Sequence, residues 1–141
     1  PDKNVFASIG MHPESIKENF DSEKFKKLIT KKVVAVGEIG LEYYFDNNAE
    51  TKEKQKQKEL FKQQLNFANR NNLPVILHAR GSKENFEDAY EDMLEIMLSF
   101  LRKQEYHHPP RDPDFRRDDS SAKGVLHCFG ASLEIAQKFI N

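Results

Sequence analysis

The feature that most constrains the fold is a short, largely apolar run that occurs four times, each time followed by a segment with helical periodicity. The four runs are VFASI (residues 5–9), VVAV (33–36), PVILH (74–78) and VLHC (125–128). Continuous apolar runs, as opposed to alternating ones, are typical of strands that are buried on both faces. Such strands separated by single helices predict an α/β fold with parallel strands.

The segments between the runs place apolar residues at helical spacing. The first begins near Asp21 and Ser22, either of which could cap it, and carries Phe25, Leu28 and Ile29 on one face. The other three helices are predicted over residues 50–71, 86–101 and 133–140. We therefore expect four βα units within a single domain that spans residues 1–141.

Composition excludes some classes of function. The chain has 22 basic and 23 acidic residues, a formal net charge of −1, so a nucleic acid would have to be held by a local feature. Cys128 is the only cysteine, which excludes an intrachain disulfide and suits a reducing compartment. No apolar run approaches the roughly 20 residues of a membrane helix. We expect a soluble cytoplasmic protein without membrane contact, with a nuclear location as the alternative.

Residues 106–123 interrupt the βα pattern. This stretch, YHHPPRDPDFRRDDSSAK, contains three prolines and alternating charges but no hydrophobic periodicity. Such a composition predicts a disordered surface insertion.

Four polar residues fall at or just after the ends of the predicted strands. They are His12, Glu38, His78 and His127. The carboxyl ends of parallel strands converge at the functional face of such folds, so these side chains should lie near one another. Imidazole and carboxylate are usual ligands of divalent metals, and a cation would stabilise a carboxylate at a buried strand end.

Other interpretations remain open at this point. Any one of these histidines alone is more readily a structural residue bonded to a backbone carbonyl, and only the set favours a metal site. Glu38 could pair with Arg80 in a salt bridge. Cys128 could be a small buried apolar side chain.

The chain resembles the TatD family of metal-dependent deoxyribonucleases. The resemblance lies in five stretches that follow the order of the family: GMHPE (10–14), VAVGEIGLEYY (34–44), QKELFKQQLNFA (57–68), NLPVILHAR (72–80) and GVLHCFGASLEIA (124–136). It implies an amidohydrolase-like (β/α)₈ barrel of the TIM-barrel type, of which this chain would supply about four units. It also implies hydrolysis of phosphodiester bonds in DNA, often from the 3′ end.

The resemblance implies a role for each site residue. Glu38 would be a catalytic metal ligand able to bridge two divalent ions, which could be Mg²⁺, Mn²⁺ or Zn²⁺. His78 and His127 would be further catalytic ligands. His12 and Arg80 would lie near the substrate phosphate, where a guanidinium matches the phosphate geometry.

The sequence also departs from the family. The HxH pair that opens family members and the aspartate that closes them are not present, GLD is replaced by GLE at Glu42, and HSRDA and HCFSG are replaced by HARGS and HCFGA. A barrel takes about 250 residues, so a partial barrel with an incomplete site is expected. Its open sheet edges predict self-association. Hydrolysis of another bond by the same metal centre, or a catalytically inactive chain, remain alternative hypotheses.

Overall fold

The computed structural model describes residues 3–44, 52–107 and 124–140. The strands are β1 (Ala7–Ile9), β2 (Val33–Glu42), β3 (Val75–Arg80) and β4 (Gly124–His127). The helices are α1 (Ser22–Lys26), α2 (Lys52–Arg70), α3 (Asp88–His107) and α4 (Leu133–Ile140), with a short 3₁₀ turn at Pro13–Ser15. Strands and helices alternate along the chain, as the apolar runs predicted.

The four strands form one parallel sheet in the order β1-β2-β3-β4. Each new strand therefore lies beside the strand that precedes it in the sequence. This arrangement confirms the predicted α/β fold of four βα units, which is the order expected for part of a (β/α)₈ barrel.

Strand β2 is longer than the sequence indicated, and this corrects the position predicted for Glu38. Its pairing with β3 shifts between Val36 and Ile39, and the strand then continues to Glu42. Gly37 and Glu38 interrupt the apolar run and so conceal the continuation, whereas Ile39 is fully buried beyond them. Glu38 therefore lies inside the strand, at the irregularity, and not at its end.

Strand β3 also continues past the predicted end, so His78 lies within it. Its last residues, Ala79 and Arg80, pair with the end of β2. Gly40 on β2 lies opposite His78 with a φ of 145°, and a Cβ there would stand 2.0 Å from the His78 carbonyl oxygen. Only glycine fits this close approach of the two strands.

The hydrophobic core lies between the central strands and helices α2 and α3. It includes the fully buried Val36, Ile39, Leu41, Tyr43, Phe61 and Met93. Strand β2 is buried on both faces along most of its length, which is the burial expected of a strand that is apolar along its length. In β3 the buried residues alternate with partly exposed ones. Burial of large side chains of this kind supplies most of the stability of such a domain.

The outer strands are less buried than the central ones. In β4, Val125 is 56% exposed, and the exposed residues of β1 include Ala7 and Ser8. Among the described residues no further strand pairs with β1 or β4. The predicted self-association through these edges stays a prediction.

Helix α3 ends at His107, two residues into the segment predicted to be an insertion. Residues 108–123, the rest of that segment, lie outside the described part of the chain. None of the described helices has the length and apolar character needed to cross a membrane.

Candidate metal centre

His12 is presented by the loop that follows β1, and a buried glutamine holds that loop in place. The side chain of Gln64, which is fully buried on α2, accepts a hydrogen bond from the Met11 amide (2.6 Å) and donates one to the Met11 carbonyl (2.9 Å). Both backbone groups of Met11 are thereby satisfied inside the protein. The residue before His12 is fixed to the helix that covers the sheet.

Three side chains from three βα units converge beyond this loop. One ligand atom each from His12, Glu38 and His78 lie within 4.8 Å of one another. The rings of His12 and His78 meet edge to face, with centroids 4.5 Å apart. Two imidazoles and a carboxylate therefore face a common point at the carboxyl side of the sheet.

This cluster fits a divalent cation. Zn²⁺ binds histidine nitrogen and carboxylate oxygen at about 2.0–2.2 Å, usually in a tetrahedral arrangement, so ligand atoms around one ion lie about 3.5 Å apart. The three atoms here lie within 4.8 Å of one another, so they must approach one another by up to about 1.3 Å to bind one ion. Nitrogen and oxygen donors in this combination suit Zn²⁺ and Mn²⁺.

A second carboxylate supports His78 from outside the cluster. Glu42, which is 6% exposed, places Oε2 3.1 Å from His78 Nε2, and its Oε1 accepts a hydrogen bond from the Tyr44 amide at 2.9 Å. The buried Gln57 in turn pairs with both the amide and the carbonyl of Glu42, at 2.8 Å each. A carboxylate bound to one ring nitrogen fixes the orientation of the other nitrogen toward a metal.

The two glutamines were missed as site residues by the sequence analysis, although the sequence carries a signal for them. Gln57 and Gln64 are seven residues apart on α2 and lie in the same helical stripe as the buried Phe61 and Ala68. Polar residues within a buried stripe need hydrogen-bond partners. Here the partners are the backbone groups of Met11, in the loop after β1, and of Glu42, at the end of β2.

His127 is joined to the cluster by a hydrogen bond to Glu38. Its Nδ1 donates a hydrogen bond to Glu38 Oε1 over 2.6 Å, and its side chain is 59% exposed. The structure thus groups His12, for which a phosphate contact was predicted, with Glu38 and His78. The predicted ligand His127 lies beside them, one hydrogen bond away.

Two of the alternative interpretations can be compared with these contacts. Glu38 pairs with His127 and not with Arg80, whose guanidinium lies 3.7 Å from the centre of the Tyr44 ring. The interpretation of Cys128 as a buried apolar side chain is wrong, because the residue is exposed and its Sγ lies 3.3 Å from His127 Nε2.

The pKa of His12 is lowered from its ordinary value of 6.5, mainly because burial penalises the charged ring and secondly because His78 lies beside it. Glu14, Glu38 and Glu42 oppose the shift, but more weakly. The ring is therefore held in its neutral form, which is the form that binds a metal ion.

A cleft of about 590 Å³ opens beside the cluster. Its walls come from the ends of β2, β3 and β4 and from the loop after β3, and they include Tyr44, His78, Arg80, Phe86 and His127. The cations of Arg80 and Lys83 both lie over the Tyr44 ring. A substrate in this cleft would lie against both the histidine cluster and a local positive charge, despite the nearly neutral chain.

The chain is thus a parallel α/β domain with a candidate metal-binding cluster at the carboxyl side of its strands. Comparison with known proteins gives the family. Residues 2–141 match the model of the family described as TatD related DNase, and the chain belongs to that family.

Curated relatives of the chain are themselves named metal-dependent hydrolases. YabD of Bacillus subtilis, called an uncharacterized metal-dependent hydrolase, is 32% identical over 95% of this chain. YcfH of Escherichia coli strain K12, with the same description, is 33% identical over 98% of this chain. The chain spans 43% and 42% of their respective lengths.

A solved structure agrees with the fold. The crystal structure of YjjV, a TatD homologue from Escherichia coli K12, matches 99% of this chain and 44% of its own chain, with a TM-score of 0.68 and 26% sequence identity. The chain thus corresponds to less than half of the relatives that it matches.

Proposed function

We propose that this chain forms part of a nuclease that hydrolyses phosphodiester bonds in DNA, acting from the 3′ end, with two divalent ions such as Mg²⁺, Mn²⁺ or Zn²⁺. The observation that carries the proposal is the convergence of His12, Glu38 and His78 at the carboxyl side of the parallel sheet. Membership of the TatD related DNase family supports the choice of substrate. The names of the relatives support metal-dependent hydrolysis without specifying the bond.

In this proposal the residues of the centre either hold the cations or orient the residues that hold them. His12, Glu38 and His78 would hold divalent cations, which supply activation of water and stabilisation of charge on the phosphoryl oxygens when bound. His127 donates to Glu38 and so orients that carboxylate. Glu42 orients His78 in the same way.

Arg80 and Lys83 supply the charge that attracts the substrate. Both cations face the cleft beside the cluster, and both lie over the Tyr44 ring, which limits their movement. The Arg80 guanidinium can donate two parallel hydrogen bonds to a phosphate, whereas the Lys83 ammonium acts as a point charge.

The test uses the full-length protein and a single-stranded oligodeoxynucleotide labelled at its 5′ end, with Mn²⁺ or Mg²⁺ present. We expect progressive shortening from the 3′ end, and we expect Glu38→Ala to lose at least about 100-fold in rate, the order of magnitude for losing a group that stabilises the transition state. Glu59→Ala is the matched control, because Glu59 is an exposed carboxylate on α2 whose only described ion pair is with Lys62.

Two results would contradict the proposal. Cleavage by Glu38→Ala at the wild-type rate would show that the reaction does not depend on this metal centre. Hydrolysis of a small ester or amide, with no cleavage of DNA under the same conditions, would support the alternative of a metal-dependent hydrolase that acts on another bond.

A further inference from the structure

The loop between β3 and α3, residues 81–87, has a backbone held by several hydrogen bonds. The Ser82 amide donates to Asp88 Oδ1 at 2.9 Å, and the Ser82 hydroxyl donates to the Asn85 carbonyl and accepts from the Asn85 amide, at 3.2 and 3.1 Å. A Cβ at Gly81 would stand 2.2 Å from the backbone of Phe86, so the loop closes tightly on itself. The conformation of the loop is therefore fixed by hydrogen bonds among its own residues and to the first residue of α3.

This loop nevertheless leaves a large aromatic side chain in solvent. Phe86 is 62% exposed, and it lines the cleft that also contains His78 and His127. An aromatic ring held at the mouth of a polar cleft offers a flat apolar face to a ligand. Because the backbone beneath it is fixed, only the side-chain torsions of Phe86 need ordering when a ligand binds.

Positive charge lies next to this ring. Lys83 is exposed on the same loop, and its Nζ lies 5.2 Å from the centre of the Tyr44 ring, over which Arg80 is also stacked. An aromatic face beside cations is the combination with which proteins bind single-stranded nucleic acid, where bases stack and phosphates are neutralised.

We propose that Phe86 and Lys83 form a nucleotide subsite beside the metal centre, in which Phe86 stacks on a base and Lys83 contacts a backbone phosphate. The inference rests on the proposed function and sharpens it, because it makes an unpaired DNA end the substrate. A base within a duplex is already stacked on its neighbours and does not offer its face to a protein ring.

The first experiment measures binding of the full-length protein, without divalent ions, to two fluorescein-labelled single strands. One strand carries normal bases, and the other is abasic over its three nucleotides at the 3′ end. Phe86→Ala should weaken binding of the normal strand by roughly 5- to 150-fold, the range for loss of one stacked base, and should leave binding of the abasic strand unchanged.

The chain offers a matched control for this variant. Phe6 is 57% exposed and has the ammonium of Lys32 4.8 Å from its ring centre, yet it does not line the cleft. Phe6→Ala should bind both strands as the wild type does. An equal loss in Phe6→Ala would show that the effect is not specific to the cleft.

The contribution of Lys83 is measured by the salt dependence of binding. Lys83→Ala should reduce the slope of log K against log salt by about 0.7, the value for one phosphate contact with a single strand. Lys32→Ala serves as its control and should leave the slope unchanged.

The outcomes separate this inference from the proposed function. If the protein degrades DNA but Phe86→Ala binds both strands as the wild type does, or weakens both equally, the subsite is wrong and the nuclease proposal stands. If Phe86→Ala shows the base-dependent loss but the wild type cleaves no DNA, the nuclease proposal is wrong and the subsite stands as a binding site.

Discussion

The central strand β3 and the outer strand β4 each contribute a histidine to the same site, but they hold it in different ways. His78 on β3 is partly buried, and its Nε2 lies 3.1 Å from the buried carboxylate of Glu42. His127 on β4 is 59% exposed, and its ring is bonded to Glu38 and to the neighbouring Cys128 thiol. The two residues are register partners in the sheet.

The two sides of the site are held in place by different kinds of contact. The side of the site formed by the loop after β1, by β2 and by β3 is held by buried residues before any ligand binds. Two glutamines on α2 bond to the backbones of Met11 and Glu42, and the Glu42 carboxylate bonds to His78. The side on β4 depends on contacts among the site residues themselves. We therefore expect substitutions on the first side to affect folding as well as metal binding, and those on β4 to affect folding much less.

The largest expected effect compares two leucines that are paired across these strands. Leu77 on β3 is 4% exposed, and its register partner Leu126 on β4 is only partly buried. Leu77→Ala should lower the free energy of unfolding by about 2–5 kcal/mol, because it opens a cavity in the core. Leu126→Ala should cost less than about half of that, since fewer atoms surround the side chain.

Urea unfolding of the full-length variants, followed by circular dichroism, measures both values. An equal loss for the two variants would contradict the comparison, since it would show that β4 is as well packed as β3.

The next effect concerns the glutamines on α2. Gln64→Ala leaves the buried amide and carbonyl of Met11 without partners, and should lower the free energy of unfolding by about 1–3 kcal/mol. Gln63→Ala, one residue earlier and exposed, should change it by no more than about 0.5 kcal/mol. Thermal unfolding of the two variants makes the comparison. If both variants behave alike, the bonds to Met11 do not stabilise the protein.

A smaller effect is expected for Glu42, because its removal leaves the metal-binding cluster itself in place. Glu42→Gln removes the charge that holds His78 through Nε2, and it should weaken binding of Mn²⁺ or Zn²⁺ by about 10-fold. Isothermal titration calorimetry measures this affinity, with the exposed Glu53 on α2 changed to Gln as the control. Unchanged affinity in Glu42→Gln would show that His78 is oriented by other contacts.

The fold could be predicted from the sequence because the signals for it are local. Four apolar runs and their helices are properties of neighbouring residues, and the structure confirms both their order and the parallel pairing. The continuation of β2 could not be predicted, because Gly37 and Glu38 interrupt the apolar run. Only the pairing with β3 shows that Ile39 and Leu41 remain in the strand.

The site could be predicted from the sequence only in part. His12, Glu38, His78 and His127 could be selected because each follows or ends an apolar run, and the structure brings them together. That they lie near one another could be predicted, because the carboxyl ends of parallel strands converge. Which three of them share one point could not, since that depends on distances between strands. The supporting role of Gln57 requires knowledge of which backbone groups face α2, and that knowledge comes from the packing.

The smallest expected effect concerns the protonation of His12. Its pKa is lowered by burial and by the neighbouring His78, so the folded state binds this proton at lower pH than the unfolded state, in which the pKa is about 6.5. The contribution of His12 to stability is therefore fully present above pH 6.5. It declines as the pH falls from 6.5 to the folded pKa, because the unfolded state binds the proton first.

A pH titration of the His12 ring protons by NMR, in metal-free buffer, should give a midpoint below 6.5. The variant His12→Gln should show a flatter decline of the unfolding free energy over the same interval than the wild type. A midpoint at or above 6.5 would mean that the carboxylates of Glu14, Glu38 and Glu42 outweigh burial, and that the ring is charged where the proposed site needs it neutral. The buried side of the site would then lack the preorganisation that distinguishes it from β4.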